Sequence, residues 1–215
     1  MSNLKKALNI VSHFKSFRTL VSFYSQGYLY EEGWFHSLER QSPVRNNGDP
    51  IPWVTYSFID FIQQRLTKDI RMLEFGSGNS TLFYAARVGK LYSVEHDLGW
   101  YEKTKSIIPQ DVTLAHIPLA YGDSYSKYAT NINEPLDIII VDGRDRVNCA
   151  KESVGALSET GVLVLDDAER AEYAEAISFL QECGFRKIDF WGVAPGVFNK
   201  KSTCVFYRAK NCLNI

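Results

Sequence analysis

The chain is short of the features that assign a protein quickly. Its four cysteines, Cys149, Cys183, Cys204 and Cys212, are scattered, with no CxxC pair. Neither a zinc ribbon nor a disulfide framework is indicated. Formal net charge is -1, and no dense Lys/Arg cluster occurs beyond the N-terminal segment. A nucleic-acid partner is therefore not expected. No apolar run approaches the ~18 residues that cross a bilayer, so stable membrane insertion is not expected either. The opening MSNLKKALNIVSHF is too short and too broken by polar residues for a secretory leader. Reduced thiols in a cytoplasm fit these absences. Internal repeats and low-complexity tracts are also missing.

What is present is an ordinary globular composition, 45% hydrophobic over 215 residues, enough for one large domain or a domain with an appendage. From residue 69 onward, β-rich runs alternate with helical stretches. Strands are expected at Ile70–Phe75, Lys90–Glu95, Val112–Ile117, Leu136–Asp142, Gly161–Asp166, Phe185–Trp191 and Thr203–Arg208. Runs such as DIIIVD and GVLVLD are apolar on both faces, as in a parallel sheet covered by helices. The expected fold is a Rossmann-like, doubly wound α/β architecture. It has a mostly parallel seven-stranded sheet, a terminal antiparallel hairpin and an N-terminal helical extension. The division expected is 1–54 for that aromatic-rich extension and 55–215 for the sheet domain. The aromatics of the extension fit an additional core or a lid, and Leu4–Leu20 fits an amphipathic helix.

The stretch LEFGSGNST, residues 73–81, carries the chemistry. Glycines between a strand and a helix suit close approach of backbone to a ligand. The turn reads Gly76-x-Gly78-x-x-Thr81 and lacks the third glycine of a dinucleotide fingerprint. Glu74 just before it suits a cationic ligand better than a diphosphate, which favours S-adenosylmethionine over NAD. Glu95 ends the second strand about 20 residues on, where a carboxylate can take ribose hydroxyls. Helix capping is the other role open to it, although Asp97 is better placed for that.

ExGxG after the first strand, an acid ending the second and a closing hairpin resemble class I S-adenosylmethionine-dependent methyltransferases. PWVTYSFIDFI, LEFGSGNSTLFYAARVGKLYSVEHDLGWY, VDGRDR and FYRAKNCLNI resemble a bacterial group of small methyltransferase-like proteins. The resemblance implies that Glu74, Gly76, Ser77, Gly78 and Asn79 line the methionine part of the donor and that Glu95 holds the ribose. His96 flanks the adenine, with the neighbourhood of Tyr121, Gly122 and Asp123. It also implies O-methylation of a small-molecule or sugar acceptor and is compatible with a homo-oligomer. A catalytically inactive donor-binding partner and an NAD-dependent oxidoreductase are the alternatives.

Asp142, Asp166 and Asp167 fall at neighbouring strand ends. Clustered carboxylates repel unless protonated or neutralised, and two solutions are open. A Mg²⁺ bound by all three would orient and acidify an acceptor hydroxyl, an arrangement that metal-dependent O-methyltransferases resemble. Alternatively Arg144 or Arg146 pairs them, and Asp142 or Asp166 serves as general base. His36 and His116 are less favoured as bases. Trp53, Tyr56, Asn199, Lys200, Lys201 and Ser202 are expected to flank the acceptor mouth.

Overall fold

The structure, a computed structural model, describes residues 14–215. The part of the expected Leu4–Leu20 helix before Phe14 lies outside the described residues. Helices α1 (Phe14–Ser22), α2 (Tyr28–Glu31) and α3 (Trp34–Arg40) precede a strap of residues 41–54, and α4 (Tyr56–Gln63) leads to the sheet. Alternation then runs β1 (Arg71–Phe75), α5 (Asn79–Ala85), β2 (Lys90–Glu95), α6 (Leu98–Lys105), β3 (Thr113–His116). It continues with β4 (Leu136–Val141), α7 (Arg146–Ser153), β5 (Leu157–Leu165), α8 (Ala174–Glu182), β6 (Arg186–Gly192) and β7 (Lys201–Tyr207).

Seven strands form one sheet in the order β3-β2-β1-β4-β5-β7-β6. Strands β1 to β5 are parallel, and β7 runs antiparallel to both neighbours. The expected reversed strand is therefore present, but it sits one place in from the edge. The sequences explain the swap. KSTCVFY is buried at six consecutive positions, whereas RKIDFWG keeps half-buried and exposed positions throughout. The more apolar strand takes the interior place, where both faces are covered. Strand order reverses between β1 and β4, so the loops after these strands frame the ligand crevice of such a sheet.

The strap is part of the core rather than an appendage. Trp34, Ile51 and Val54 are buried in one cluster with Phe58, Ile59, Met72 and Val205. The indole N–H groups of Trp34 and Trp53 donate to the carbonyls of Val197 and Pro195 at 3.1 and 2.8 Å, tying α3 and the strap to the β6–β7 hairpin. Asn79 Nδ2 donates to Ser42 Oγ at 3.1 Å and to the Pro43 carbonyl at 2.8 Å, tying it to α5. Residues before Trp34 differ, with Phe17, Leu20, Val21 and Tyr24 exposed. The expected boundary at 54/55 thus falls inside a continuous hydrophobic cluster. Trp34→Ala should cost about 3–5 kcal/mol of stability, the usual loss for a buried Trp, read as a fall in thermal midpoint; a midpoint like the parent's would place Trp34 outside the cooperative core.

Candidate functional site

The loops after β1, β2, β4 and β5 and the β6–β7 hairpin open onto a cavity of about 940 Å³. That lies at the upper end of the ~300–1,000 Å³ of small-molecule sites. Its shape depends on two glycines meeting. Gly76 has φ +98°, and a Cβ on Gly143 would stand 2.1 Å from Tyr125 Oη and 3.0 Å from the Gly76 amide. Only glycine lets the loops after β1 and β4 pack this closely.

The glycine turn is held from within. The Gly76 amide donates to the Val94 carbonyl at 2.9 Å, that of Ser77 to Glu95 Oε2 at 3.0 Å, and that of Gly78 to Thr81 Oγ1 at 3.0 Å. Trp100 roofs it: its indole N–H donates to the Ser77 carbonyl, and a Cβ on Gly78 would stand 3.4 Å from its ring. A pyrophosphate cradle needs free amides and an uncovered turn, and this turn offers neither at these positions.

Glu95 lies where the sequence puts it, on the cavity wall, but its carboxylate is fully engaged. Oε2 accepts from the Ser77 amide and, at 3.1 Å, the Ser77 hydroxyl; Oε1 accepts from the amides of His96 and Asp97 at 2.8 and 2.9 Å. Four donors fill a carboxylate's lone pairs. The Ser77 hydroxyl has a second partner, Thr104 Oγ1 at 3.3 Å. It is the donor that can turn away. Asp97 caps α6 by accepting from the Trp100 amide at 2.7 Å, as expected. His96 lines the cavity beside Glu95.

Asn79 and Glu74, two expected donor contacts, line the cavity with their polar groups engaged within the protein. The Asn79 amide is spent on the strap. Glu74 is buried, its Oε2 accepting from Thr81 Oγ1 at 2.7 Å and Ser93 Oγ at 3.2 Å. Burial pushes the Glu74 pKa up to about 7, against the opposing hydroxyl hydrogen bonds. Tyr121, Gly122 and Asp123 do not line the cavity, because the Gly122 amide is drawn to Asp145 Oδ2 at 2.7 Å. On the far side Trp53, Asn199, Lys200 and Lys201 line the mouth as expected. Tyr56 and Ser202 are buried outside it. His36 and His116 are not on its wall.

Asp142, Asp166 and Asp167 do converge, together with two cations. Arg146 Nη2 meets Asp142 Oδ1 at 3.0 Å, and Nη1 meets Asp167 Oδ2 at 3.3 Å. Lys201 Nζ lies 2.6 Å from Asp166 Oδ2 and 2.7 Å from Asp167 Oδ1. The remaining Asp166 oxygen accepts from Thr203 Oγ1 at 2.7 Å, and Arg170 Nη2 pairs with Asp167 at 2.7 Å. Burial opposes the charge on Lys201, but the three carboxylates outweigh it and hold its pKa above the usual lysine range. Burial likewise raises Asp167, but Lys201, Arg146 and Arg170 together hold it below the usual range. Mg²⁺ finds no support here: every carboxylate oxygen of the three aspartates except one of Asp142's is occupied by an ammonium, a guanidinium group or a hydroxyl. No set of three or more His, Cys, Asp or Glu suited to a metal occurs among the described residues. The sequence offered Arg144 or Arg146 as neutraliser; the structure uses Arg146 and adds Lys201. With Lys201 at the start of β7 and Asp166 just after β5, only strand pairing brings the two together.

Asp142 differs from its neighbours. It faces the cavity and keeps one oxygen clear of Arg146. Burial first, then Asp166, pushes its pKa well above the usual carboxylate value. Asp166 also lines the cavity, but it is 1% exposed with both oxygens engaged.

No protein-family model and no curated protein matches the chain. Solved structures do. A Streptococcus mutans protein assigned as a methyltransferase, in complex with S-adenosylhomocysteine, matches at TM-score 0.53 and 17% identity over 69% of this chain and 94% of its own. A Geobacter metallireducens precorrin-6y methyltransferase matches at 0.56 and 15% identity, covering 71% and 87%. The chain has the class I methyltransferase fold. An rRNA methylase of Streptococcus thermophilus shares this fold at TM-score 0.50 and 16% identity, over 69% and 92%. The turn after β1 and Glu95 line one side of the cavity, and the ends of β4 and β5 and the hairpin line the other.

The Glu74 environment generates a test. A folded-state pKa above the unfolded value near 4.5 means the fold holds the proton more tightly. That contribution is complete below 4.5 and is lost as pH rises through about 7. Thermal midpoints of the parent should therefore fall from acid to neutral pH more steeply than those of Glu74→Gln; parallel pH profiles would show that folding leaves the Glu74 pKa unshifted.

Proposed function

We propose that the chain is an S-adenosylmethionine-dependent methyltransferase acting on an oxygen of a small molecule or sugar. The observation that carries the reading is a single cavity joining the glycine turn and Glu95 to Asp142. Such a cavity supports a donor bound at one side with its methyl group directed to an acceptor beside a carboxylate at the other. Ribose hydroxyls replace the Ser77 hydroxyl on Glu95 Oε2, and Ser77 turns to Thr104. A cationic donor above Glu74 favours its ionised form and draws off its proton. The amides spent inside the turn and the Trp100 roof argue against NAD and hence against an oxidoreductase. The fold neighbours include methylases of a corrin precursor and of rRNA, so fold similarity alone names no acceptor. The concave site and the formal net charge of -1 favour a small one.

Methyl transfer from a sulfonium to a hydroxyl breaks the sulfur–methyl bond, forms an oxygen–methyl bond and releases the hydroxyl proton. Asp142 takes that proton, because its raised pKa makes it a better base than an ordinary surface carboxylate. Alignment of oxygen, methyl and sulfur supplies much of the remaining rate. The inactive donor-binding alternative is disfavoured by Asp142, a raised-pKa carboxylate that faces the cavity and keeps one oxygen clear.

S-adenosylhomocysteine should bind by calorimetry and raise the thermal midpoint, as any ligand of the native state does. Glu95→Ala should weaken it by roughly ten- to a hundredfold, the loss for a hydrogen bond to a charged group. Stabilisation by NAD instead, or parent-like binding by Glu95→Ala, would overturn the donor assignment.

A further inference from the structure

Charge around the cavity does not balance at its outer edge. Opposite the donor side, Arg146, Lys201 and Arg170 are all spent on Asp142, Asp166 and Asp167. Glu169 also lines the cavity and is exposed; its Oε2 accepts from the Ser202 amide at 2.7 Å, which holds the side chain in place without neutralising its charge. Two cations remain. Arg144 lines the cavity, is exposed, and its guanidinium has no hydrogen-bond or ion-pair partner among the described residues. Lys200 also lines it and is exposed; its ammonium stands 4.5 Å from the centre of the Trp191 ring, with no carboxylate partner among the described residues.

The backbone under Arg144 is fixed although its side chain is not. Gly143 is wedged against Gly76, Asp145 is held at φ 49°, and the Arg144 carbonyl accepts from the Cys149 thiol at 3.4 Å. An arginine on a rigid loop, aimed at a cavity and left without a counter-ion, is suited to forked recognition of a carboxylate or phosphate. Trp53, 43% exposed, lines the same mouth with its indole N–H anchored on Pro195, leaving the ring available to a sugar face or planar group.

We propose that Arg144 and Lys200 form an anion-binding subsite at the acceptor end of the cavity. The acceptor is then a small molecule carrying a carboxylate or phosphate group. This deepens the methyltransferase reading and rests on it for which end is the acceptor's. Two cations at a concave mouth suit one anionic group, whereas a polynucleotide engages many phosphates along a basic face. The carboxylate of the donor's methionine part has the same chemistry, and the experiment separates the two sources.

The probe is inorganic phosphate, added to the full chain with and without saturating S-adenosylhomocysteine, against sodium chloride at matched ionic strength. Phosphate should raise the thermal midpoint of the S-adenosylhomocysteine-saturated protein more than chloride does. Arg144→Gln and Lys200→Gln should each raise the half-saturating phosphate concentration roughly tenfold, as loss of a charge-assisted contact implies. Both variants should still be stabilised by S-adenosylhomocysteine, showing that they fold. Phosphate no better than chloride, or parent-like behaviour of Arg144→Gln, overturns the subsite. A phosphate effect that vanishes once S-adenosylhomocysteine is bound assigns the cations to the donor carboxylate and also overturns it. A short single-stranded RNA that displaces phosphate at far lower concentration, through Arg144, would replace the small acceptor with nucleic acid. Phosphate binding without any S-adenosylhomocysteine effect would sink the donor reading and leave the anion subsite intact.

Discussion

The interaction on which the site depends is the buried cluster of Asp142, Asp166 and Asp167 with Arg146 and Lys201. Carboxylates taken out of water are tolerated only when paired and hydrogen-bonded, and removing one partner of such a set typically costs about 3–5 kcal/mol. The cluster also joins elements distant in sequence. Arg146 begins α7 behind β4, the aspartates follow β4 and β5, and Lys201 begins β7. Lys201 also reaches the Trp53 carbonyl at 3.3 Å, and Thr203 receives the Thr55 amide at 3.1 Å, so strap and hairpin meet on the same ions. One set of charges therefore fixes the floor of the cavity, its far wall and the seat of the strap.

The same cluster divides labour among the acids. Asp166 and Asp167 are consumed in holding the hairpin against the sheet. Asp142 is left facing the cavity with one oxygen clear, its pKa raised by burial and by Asp166. On the opposite wall Glu95 performs a parallel task, since its carboxylate holds the glycine turn open before any ligand arrives. The amides of Gly76, Ser77 and Gly78 are satisfied within the protein, so this wall is preorganised by side chains instead of by a bare helix terminus.

Much of this was legible in the sequence, and the reasons differ by element. Strands β2 and β4 are short apolar runs closed by an acid, and the structure starts both where the pattern did, at Lys90 and Leu136. Glu95 and Asp97 were separable because an acid at a strand end and one opening a helix occupy different positions. The position of β7 was not read, although unbroken burial in KSTCVFY against half-open RKIDFWG carries the signal. Lys201 was taken for a residue of the mouth because KKS looks like a turn; its role exists only once β7 lies beside β5. Trp100 gave no local cue, since its contact with Gly78 spans the β2–α6 connection. The aromatics of the N-terminal extension were ambiguous because a core and a lid demand the same composition. Burial of Trp34, Ile51 and Val54 puts it in the core, while Ser42, Pro43 and Trp53 also bring it to the cavity wall.

The self-neutralised cluster is tested most directly by titrating Mn²⁺ into the S-adenosylhomocysteine-saturated protein and following the heat of binding. With Lys201 and Arg146 on the aspartates, no saturable one-site binding should appear in the micromolar to low-millimolar range, in the parent or in Asp166→Asn. Stoichiometric Mn²⁺ binding by the parent that is lost in Asp166→Asn would contradict the account and return the three carboxylates to the role of metal ligands.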